Sequence, residues 1–326
     1  SKVSGEACGS DRRRNPCLDG KLECSIITIM KTILEKIDKN QNNTDIIREA
    51  GRILKEGGLV AFPTETVYGL GADALNEDAA KKIYAAKGRP SDNPLIIHIT
   101  NMKALEKIVS EVPEKAVKVA EKYWPGPLTM IFNKSDIVPY GTTGGLDTVA
   151  VRMPVDEIAR EVIDAGGGYI AAPSANTSGR PSPTTAQHVA EDLTGRVDMI
   201  VDGGAVEIGV ESTILDMTVE PPMILRPGAI TKEMFEEVIG EVTIDRTLIR
   251  PDSRQVPKAP GMKYRHYAPK ADLTIIEGPL EKVTAEINKR AKEKSRAGYK
   301  VGIIGTEETV AEYKAGDVKC IGTRAD

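Results

Sequence analysis

The sequence predicts an α/β fold: a twisted mixed sheet with helices on its faces, followed by a linker and a small C-terminal βαβαβ unit. Three observations predict it. Short β-branched segments alternate with segments of helical apolar spacing along most of the 326 residues. Capping residues begin two of the helical segments, and a glycine pair ends the first. The strands are irregularly spaced, which favours a mixed sheet over a purely parallel one.

The individual elements follow from local spacing and caps. The first helix begins at the N-cap Thr44, has Ile47 and Leu54 on one face, and ends at Gly57. Asn76 caps a second helix that runs to residue 87. The other helical segments are 102–109, 114–123, 155–163, 185–193 and 231–239. Short apolar, often β-branched runs predict strands at 59–62, 95–99, 128–132, 148–152, 169–172, 199–201 and 212–215.

Changes in composition divide the chain into four parts. Residues 1–29 have no periodicity, so we expect an unstructured extension, with the main folded domain at 30–240. Residues 241–271 hold four prolines and little periodicity, which predicts a linker. Residues 272–326 predict a small Rossmann-like domain with strands at 273–276, 301–304 and 318–321 and a helix at 280–291. This unit is short enough to be a truncated domain.

Composition excludes several classes of protein. Lys plus Arg number 44 and Asp plus Glu 48, so the net charge is -4 and no global positive field attracts nucleic acid. Aromatic residues are 4% of the chain, which argues against base stacking as the main activity. The apolar run 25–30 is too short to cross a bilayer, so we expect a cytoplasmic location and no membrane partner. Three of the four cysteines precede residue 25, which argues against a disulfide framework.

Several cations lie beside glycine or proline, at predicted strand ends or in the adjoining loops. They are Lys87, Arg89, Arg152, Arg180 and Arg226. Any one of them is adequately explained as a solvated surface charge. Their shared placement in an acidic protein favours a pocket for a polyanion, most simply a nucleotide phosphate.

Other candidate residues have two interpretations each. Ser174 and Asn176 follow a predicted strand and offer a hydroxyl and an amide to a phosphate or carboxylate, or they form an ordinary turn. His98 lies in an apolar strand, where a structural histidine is the plainer interpretation unless a pocket adjoins it. The sequence has no GxxxxGK[ST] loop, no HExxH and no GxSxG. The sequence is therefore compatible with reactions that need no nucleophile from the protein, such as nucleotidyl transfer.

Seven ordered motifs carry a resemblance to a known family. They are FPTETVYGLG at 62–71, KGRPSDNPL at 87–95, WPGPLT at 124–129, VAVRMP at 149–154, APSAN at 172–176, GVESTI at 209–214 and LRPG at 225–228. With APGM at 259–262 and HYAP at 266–269, they resemble the threonylcarbamoyl-AMP synthase family in its longer, two-domain form. The resemblance covers about 59–240 and the linker, and it implies a YrdC-like fold.

The resemblance implies an enzyme, an L-threonylcarbamoyladenylate synthase. Members of the family condense L-threonine, bicarbonate and ATP to threonylcarbamoyl-AMP and pyrophosphate, the first step towards threonylcarbamoyladenosine in tRNA. A nucleotidyltransferase of this kind uses Mg²⁺ bound to ATP, and we expect no metal site of the protein's own. The downstream tRNA threonylcarbamoyl transfer machinery is the implied partner, and tRNA itself is a candidate.

Motif position also implies the residues of the site. Lys87 and Arg89 would be the catalytic cations, acting on phosphate charge. The implied L-threonine site consists of Thr66, His98, Arg152, Ala172 and Ser212, with Arg152 pairing the carboxylate. The implied ATP site consists of Lys87, Arg89, Asn93, Thr148, Ser174, Asn176, Ser182, Arg226 and Tyr267.

Two other functions stay open on the sequence. A non-catalytic module for double-stranded RNA or tRNA would use the same cations, although the negative net charge speaks against it. A carbamoyl-adenylating domain acting on carbamoyl phosphate is usually joined to zinc-binding CxxC pairs, which the sequence lacks. The chain departs from the family pattern in residues 1–29 and in its early C-terminal end.

Overall fold

The structure is a computed structural model that describes residues 31–38, 41–245 and 271–324. The chain divides into two compact units, residues 1–268 and 269–326. The predicted extension at 1–29, most of the predicted linker and Tyr267 lie outside the described residues.

The larger unit is built on one mixed sheet, as the strand spacing predicts. Its order is β1-β8-β2-β3-β7-β4-β6-β5-β9-β10-β11, with both parallel and antiparallel neighbours. The strands are β1 (Ile33–Lys36), β2 (Val60–Phe62), β3 (Gly69–Asp73), β4 (Ile96–His98), β5 (Leu128–Asn133), β6 (Thr148–Arg152), β7 (Ile170–Ala171), β8 (Met199–Asp202), β9 (Thr213–Asp216), β10 (Met223–Arg226) and β11 (Thr243–Ile244).

Seven of the eight helices described in the larger unit agree with the predicted segments to within a few residues. They are α1 (Thr44–Lys55), α2 (Glu77–Lys87), α3 (Met102–Ile108), α4 (Glu114–Tyr123), α5 (Tyr140–Thr143), α6 (Glu157–Ala165), α7 (Ala186–Leu193) and α8 (Lys232–Ile239). Asn76 caps α2 by accepting the N–H groups of Asp78 and Ala79 at 3.0 and 3.2 Å. Gly88 ends this helix in the left-handed conformation, at φ 61°. Thr44 is not the N-cap of α1 but its first helical residue.

Four strands and one short helix have no counterpart in the predictions: β1, β3, β10, β11 and α5. All four positions of β1 are exposed, so this strand has no apolar alternation. The sequence of β3, GLGAD, lacks β-branched residues, yet its first four positions are buried. Both strands form because a neighbouring strand supplies backbone hydrogen bonds, which local sequence does not report.

The two faces of the sheet bury different clusters. On one face, α1 and α6 pack over Val60, Phe62 and Ile170. On the other, a larger cluster combines residues of α2, α3, α4, α7 and α8 with alternate strand positions such as Ala61. A third cluster contains only strand residues: Ile96, Ile131, Ala150, Ile214 and Leu225. Strand alternation puts His98 and Arg152 on the same face as this third cluster, beside the α1 and α6 pair.

The smaller unit differs from its prediction in one strand. It contains α9 (Leu280–Arg296), β12 (Gly302–Gly305), a 3₁₀ helix (Val310–Glu312) and β13 (Asp317–Cys320), with β12 and β13 parallel. The predicted strand 273–276 is wrong, because these residues form no strand and Leu273 and Ile275 are 75% exposed. Alternating apolar residues satisfy the strand pattern, but a strand also needs a partner, and within the described residues β12 pairs with β13 alone.

No helix of the described residues combines the length and the apolar composition needed to span a membrane.

Gly51 tests the packing of α1 against α6. A Cβ at this position would lie 2.6 Å from both the Cβ and the carbonyl oxygen of Ala165. We therefore expect Gly51→Ala to lower the free energy of unfolding by about 1–3 kcal/mol despite the better helix propensity of alanine. Urea unfolding of the larger unit measures this. Lys55→Ala, an exposed change in the same helix, is the control. A Gly51→Ala protein as stable as the wild type would contradict the packing.

Candidate active site

One cleft of the larger unit collects residues from most of the sequence motifs. Nine predicted site residues line it: Arg89, His98, Arg152, Ala172, Ser174, Asn176, Ser182, Ser212 and Arg226. Other lining residues include Thr64, Val67, Gly69, Arg180 and Glu211. The threonine set and the ATP set of the sequence analysis therefore adjoin the same space.

Strand register explains why distant motifs meet. His98 of β4 pairs with Arg152 of the parallel strand β6, and Thr129 of β5 pairs with Arg152 from the other side. Residues paired across neighbouring strands share a face, so these three side chains converge. Ser212 precedes β9, which runs parallel to β5, and its hydroxyl lies 2.7 Å from that of Thr129. The sheet thus gathers polar groups above the apolar strand cluster.

Arg152 is fixed by a buried network in the PTET motif. Its Nη1 donates to the Thr66 hydroxyl at 2.8 Å, and its Nη2 donates to Glu65 Oε1 at 2.7 Å and to the Thr64 hydroxyl at 3.3 Å. The Arg152 and Glu65 side chains are 5% and 4% exposed, so this is a buried ion pair. Among the described residues, Glu65 Oε2 and Arg152 Nε have no hydrogen-bond partner. Arg152 is thus oriented before any ligand arrives and keeps an unused donor.

His98 is held as a neutral imidazole. Its Nδ1 lies 3.2 Å from the carbonyl oxygen of Ile96. Burial, together with the positive charge of Arg152, lowers the pKa of His98 to about 3. Because the ring is neutral, Arg152 alone of these two residues carries positive charge. The imidazole can donate one hydrogen bond and accept another.

Lys87 lies behind the wall of the cleft and is not among its lining residues. Its Nζ donates to the carbonyl oxygens of Ser174 and Asn176, the latter at 2.6 Å, and approaches Asn176 Oδ1 at 3.4 Å. Three oxygens match the three donors of an ammonium group. Burial, aided by the charge of Arg89, lowers the pKa of Lys87 well below its usual value. Lys87 therefore fixes the conformation of the 174–176 loop through its backbone carbonyls.

Arg89 lines the adjoining wall and contacts the buried Asn93, which is not among the lining residues. Arg89 Nη2 donates to the carbonyl oxygens of Asn93 and Pro94 at 3.2 and 2.9 Å. Both side chains are buried, and Asn93 Oδ1 lacks a partner among the described residues. The side-chain carbonyl group of Asn93 thus keeps unused hydrogen-bonding capacity beside Arg89.

The far wall pairs hydroxyls with charged groups. Arg226 donates from Nε to the Ser212 carbonyl at 3.1 Å and from Nη2 to the Ser212 hydroxyl at 3.2 Å. Ser182 donates to Glu211. The hydroxyls of Ser182 and Ser212 are thus each oriented by a charged neighbour.

Four described residues of the predicted site are not among those that line the cleft: Thr66, Lys87, Asn93 and Thr148. Thr148 begins β6, four residues before Arg152, and does not line the cleft. Tyr267 falls outside the described residues. Their assignment to ATP stays a prediction.

Sequence reasoning missed four residues that shape the site: Thr64, Glu65, Thr129 and Glu211. Each stands inside or beside a quoted motif, so position was available as a signal. Burial and pairing, which give Glu65 and Thr129 their function, depend on strands distant in sequence. No described group of three or more His, Cys, Asp or Glu side chains could hold a metal ion.

The fold and the cleft define the class: an α/β protein whose mixed sheet carries a cationic, amide-lined cleft fit for a nucleotide and a small carboxylate. Comparison with known proteins identifies the family within this class. The Sua5/YciO/YrdC family profile, described as "Telomere recombination", matches residues 52–228. The profile described as "Threonylcarbamoyl-AMP synthase, C-terminal domain" matches residues 230–326.

Proteins similar to this chain over most of its length are named threonylcarbamoyl-AMP synthases. The chain is 51% identical to a threonylcarbamoyl-AMP synthase of Pyrococcus abyssi, over 91% of this chain and 84% of that protein. It is 50% identical to one of Bacillus subtilis, over 91% and 85%. The crystal structure of P. abyssi Sua5 complexed with L-threonine matches at a TM-score of 0.84 and 50% identity, over 89% and 84% of the two chains. The chain belongs to the threonylcarbamoyl-AMP synthase family, as its motifs indicate.

The lowered pKa of His98 has a measurable consequence for stability. The unfolded state binds a proton at this residue below about pH 6.5, and the folded state does so only near pH 3. The contribution of neutral His98 to the free energy of unfolding is therefore fully present above pH 6.5. As the pH drops towards 3, this contribution decreases by up to about 1.4 kcal/mol per pH unit. We expect His98→Gln to flatten the dependence of unfolding free energy on pH between 6 and 4.5. His188→Gln, at an exposed histidine, is the control; equal slopes in all three proteins would refute the assignment.

Proposed function

We propose that the chain condenses L-threonine, bicarbonate and ATP to L-threonylcarbamoyladenylate and pyrophosphate. One observation carries the proposal: the Arg152 network and the Arg89, Ser174 and Asn176 wall line a single cleft. A reaction that joins an amino acid derivative to a nucleotide needs both substrates in one enclosed space. Membership of the threonylcarbamoyl-AMP synthase family supports the same reaction.

The Arg152 end suits the amino acid. The guanidinium is a planar donor for a carboxylate, and Glu65 and Thr66 hold it in one orientation. The hydroxyls of Thr66 and Ser212 and the neutral His98 can bind the amine or hydroxyl of threonine without adding charge. The unprotonated amine then attacks the carbon of bicarbonate, which loses water, or of CO₂ derived from bicarbonate, in which case the amine releases a proton; either route forms a carbamate.

The other end suits the nucleotide. A carbamate oxygen attacks the α-phosphorus, the bond to the β-phosphate oxygen breaks, and pyrophosphate leaves with the electron pair. Arg89 and Arg226 neutralise the charge that develops, and Ser174 and Asn176 orient the phosphates. Lys87 acts indirectly in this arrangement, because its donors are taken by the carbonyls of the loop. We therefore assign Lys87 as a positioning residue and Arg89 as the cation in contact with ATP.

Mg²⁺ is expected to enter with ATP. Magnesium in nucleotide sites is held mainly by phosphates and water, with one or two carboxylates. Glu211 is the one acidic side chain among the described residues that line the cleft, and it would supply such a carboxylate. The ion neutralises the outgoing pyrophosphate when bound.

Transfer of the product to tRNA and a cytoplasmic location stay predictions. Contact with tRNA would need more than the walls of the cleft, since Arg89 and Arg152 are buried and engaged with partners. The burial of these two arginines disfavours the RNA-binding alternative, because they cannot reach the phosphates of a duplex.

Omitting each substrate in turn tests the function. We expect pyrophosphate release from ATP only when L-threonine and bicarbonate are both present, because the carbamate is the nucleophile. A coupled pyrophosphate assay measures the rate, and L-alanine in place of L-threonine is the control for the hydroxyl. Release that ignores threonine would refute the proposal. Salt-sensitive RNA binding without threonine-dependent turnover would favour the RNA-binding module.

Lys87→Met tests the division between Lys87 and Arg89. Removing Nζ leaves buried carbonyl oxygens without a donor, so we expect turnover to fall at least about 100-fold and unfolding free energy to fall by about 1–3 kcal/mol. Arg89→Met should cost at least as much turnover and raise the KM for ATP. Lys81→Met, at an exposed lysine of the same helix, is the control. Near-normal pyrophosphate release by Lys87→Met would contradict the assignment.

A further inference from the structure

Arg180 is a cation of the cleft that neither the threonine set nor the ATP set includes. It lines the same space as Ser174, Asn176 and Ser182. Its side chain is 57% exposed, whereas the side chains of Arg89 and Arg152 are buried. The cleft therefore has buried positive charges along its walls and an exposed one at its mouth.

Asp192 fixes the guanidinium of Arg180. Its side chain is 5% exposed, and one of its oxygens forms an ion pair with Arg180 Nη1. The other oxygen accepts the N–H of Thr177 at 2.9 Å and its hydroxyl at 3.1 Å. Asp192 lies in the last turn of α7, where a carboxylate opposes the helix dipole. Helix stability does not explain an acid at that position, but its contacts with the 177–180 loop do.

The backbone of Arg180 is held as well. Asn176 Nδ2 donates to the Arg180 carbonyl at 2.8 Å and to the Thr177 carbonyl at 2.9 Å. Gly179 has φ 89°, a conformation that favours glycine, and it turns the chain immediately before Arg180. Among the described residues, the Asp192 contact uses Nη1 and leaves the Nη2 and Nε donors for a ligand.

We propose that Arg180 binds the β- and γ-phosphates of ATP and the pyrophosphate that leaves, with Asp192 as its positioning residue. The inference rests on the proposed function. A guanidinium matches phosphate oxygens in a bidentate manner. The outer phosphates carry most of the charge of ATP and keep part of their hydration, which suits the exposed mouth. The buried end, with a neutral His98 and the Arg152 fork, suits a small amino acid.

A purely stabilising ion pair is the competing explanation. Pairs with one exposed partner contribute little to folding, commonly below about 1 kcal/mol. Such a pair would not need a buried carboxylate that also orders the neighbouring loop, nor a place on the cleft wall. The decisive difference is in ligand binding, because a stabilising pair cannot distinguish ATP from AMP.

Calorimetric binding of ATP, AMP and inorganic pyrophosphate to the full chain tests the proposal. We expect Arg180→Gln to weaken ATP and pyrophosphate about tenfold or more and to leave AMP within about twofold, since AMP lacks the outer phosphates. Arg48→Gln removes an exposed arginine outside the cleft and should leave all three affinities unchanged. Equal weakening of ATP and AMP, or no weakening of either, would overturn the proposal.

Two further variants separate contact from positioning. Arg180→Lys keeps the charge and loses the planar fork, so ATP affinity should lie between wild type and Arg180→Gln, which also keeps the test open if the glutamine variant folds poorly. Asp192→Asn should lower the affinity for ATP more than that for AMP, and a parallel loss of both would show that Asp192 only shapes the loop. These measurements need neither threonine nor bicarbonate, so they can succeed or fail independently of turnover.

Discussion

The cost of burying positive charge is the constraint on which the site depends. Arg152, Arg89 and Lys87 are all removed from water, and each cation would be unstable there without oxygen partners. Glu65 and two threonine hydroxyls stabilise Arg152, while backbone carbonyls stabilise Arg89 and Lys87. Because the carbonyls come from loops, satisfying the cations also fixes the loops.

That coupling explains how short loops become a rigid binding wall. The 173–176 segment receives Nζ of Lys87 from one side, and its backbone bonds to Tyr68 and Leu70 on the other. The carbonyl of Lys87 accepts in turn from Ser178, so the end of α2 and the loop hold each other. A ligand then meets groups already oriented, which removes much of the entropy cost of ordering them on binding. Preorganised donors are also the ones that act most strongly on developing charge.

Much of the fold was predictable from the sequence because its helices and buried strands follow strong periodicity. α2 and α7 begin at cap residues with suitable side chains, and β4 and β6 each contain a short run of buried apolar residues. Prediction from local sequence failed for β1, for β3 and for the segment 273–276. In each of these the presence or absence of a partner strand decides whether a strand forms. In the site, motif position found nine residues that line the cleft, but the partner of Arg152 and the inward orientation of Lys87 depend on tertiary contacts.

The gradient of exposure along the cleft suits the order of the proposed chemistry. Small, weakly charged reactants meet the buried end, where a low dielectric strengthens each hydrogen bond and excludes water that would hydrolyse a carbamate or an acyl adenylate. A leaving group with several negative charges must escape, and a fully buried cation would retain it. An exposed arginine tethered by a carboxylate avoids this, since Asp192 competes with the departing anion for the same guanidinium. The acid that orients Arg180 therefore also limits how tightly pyrophosphate can be held.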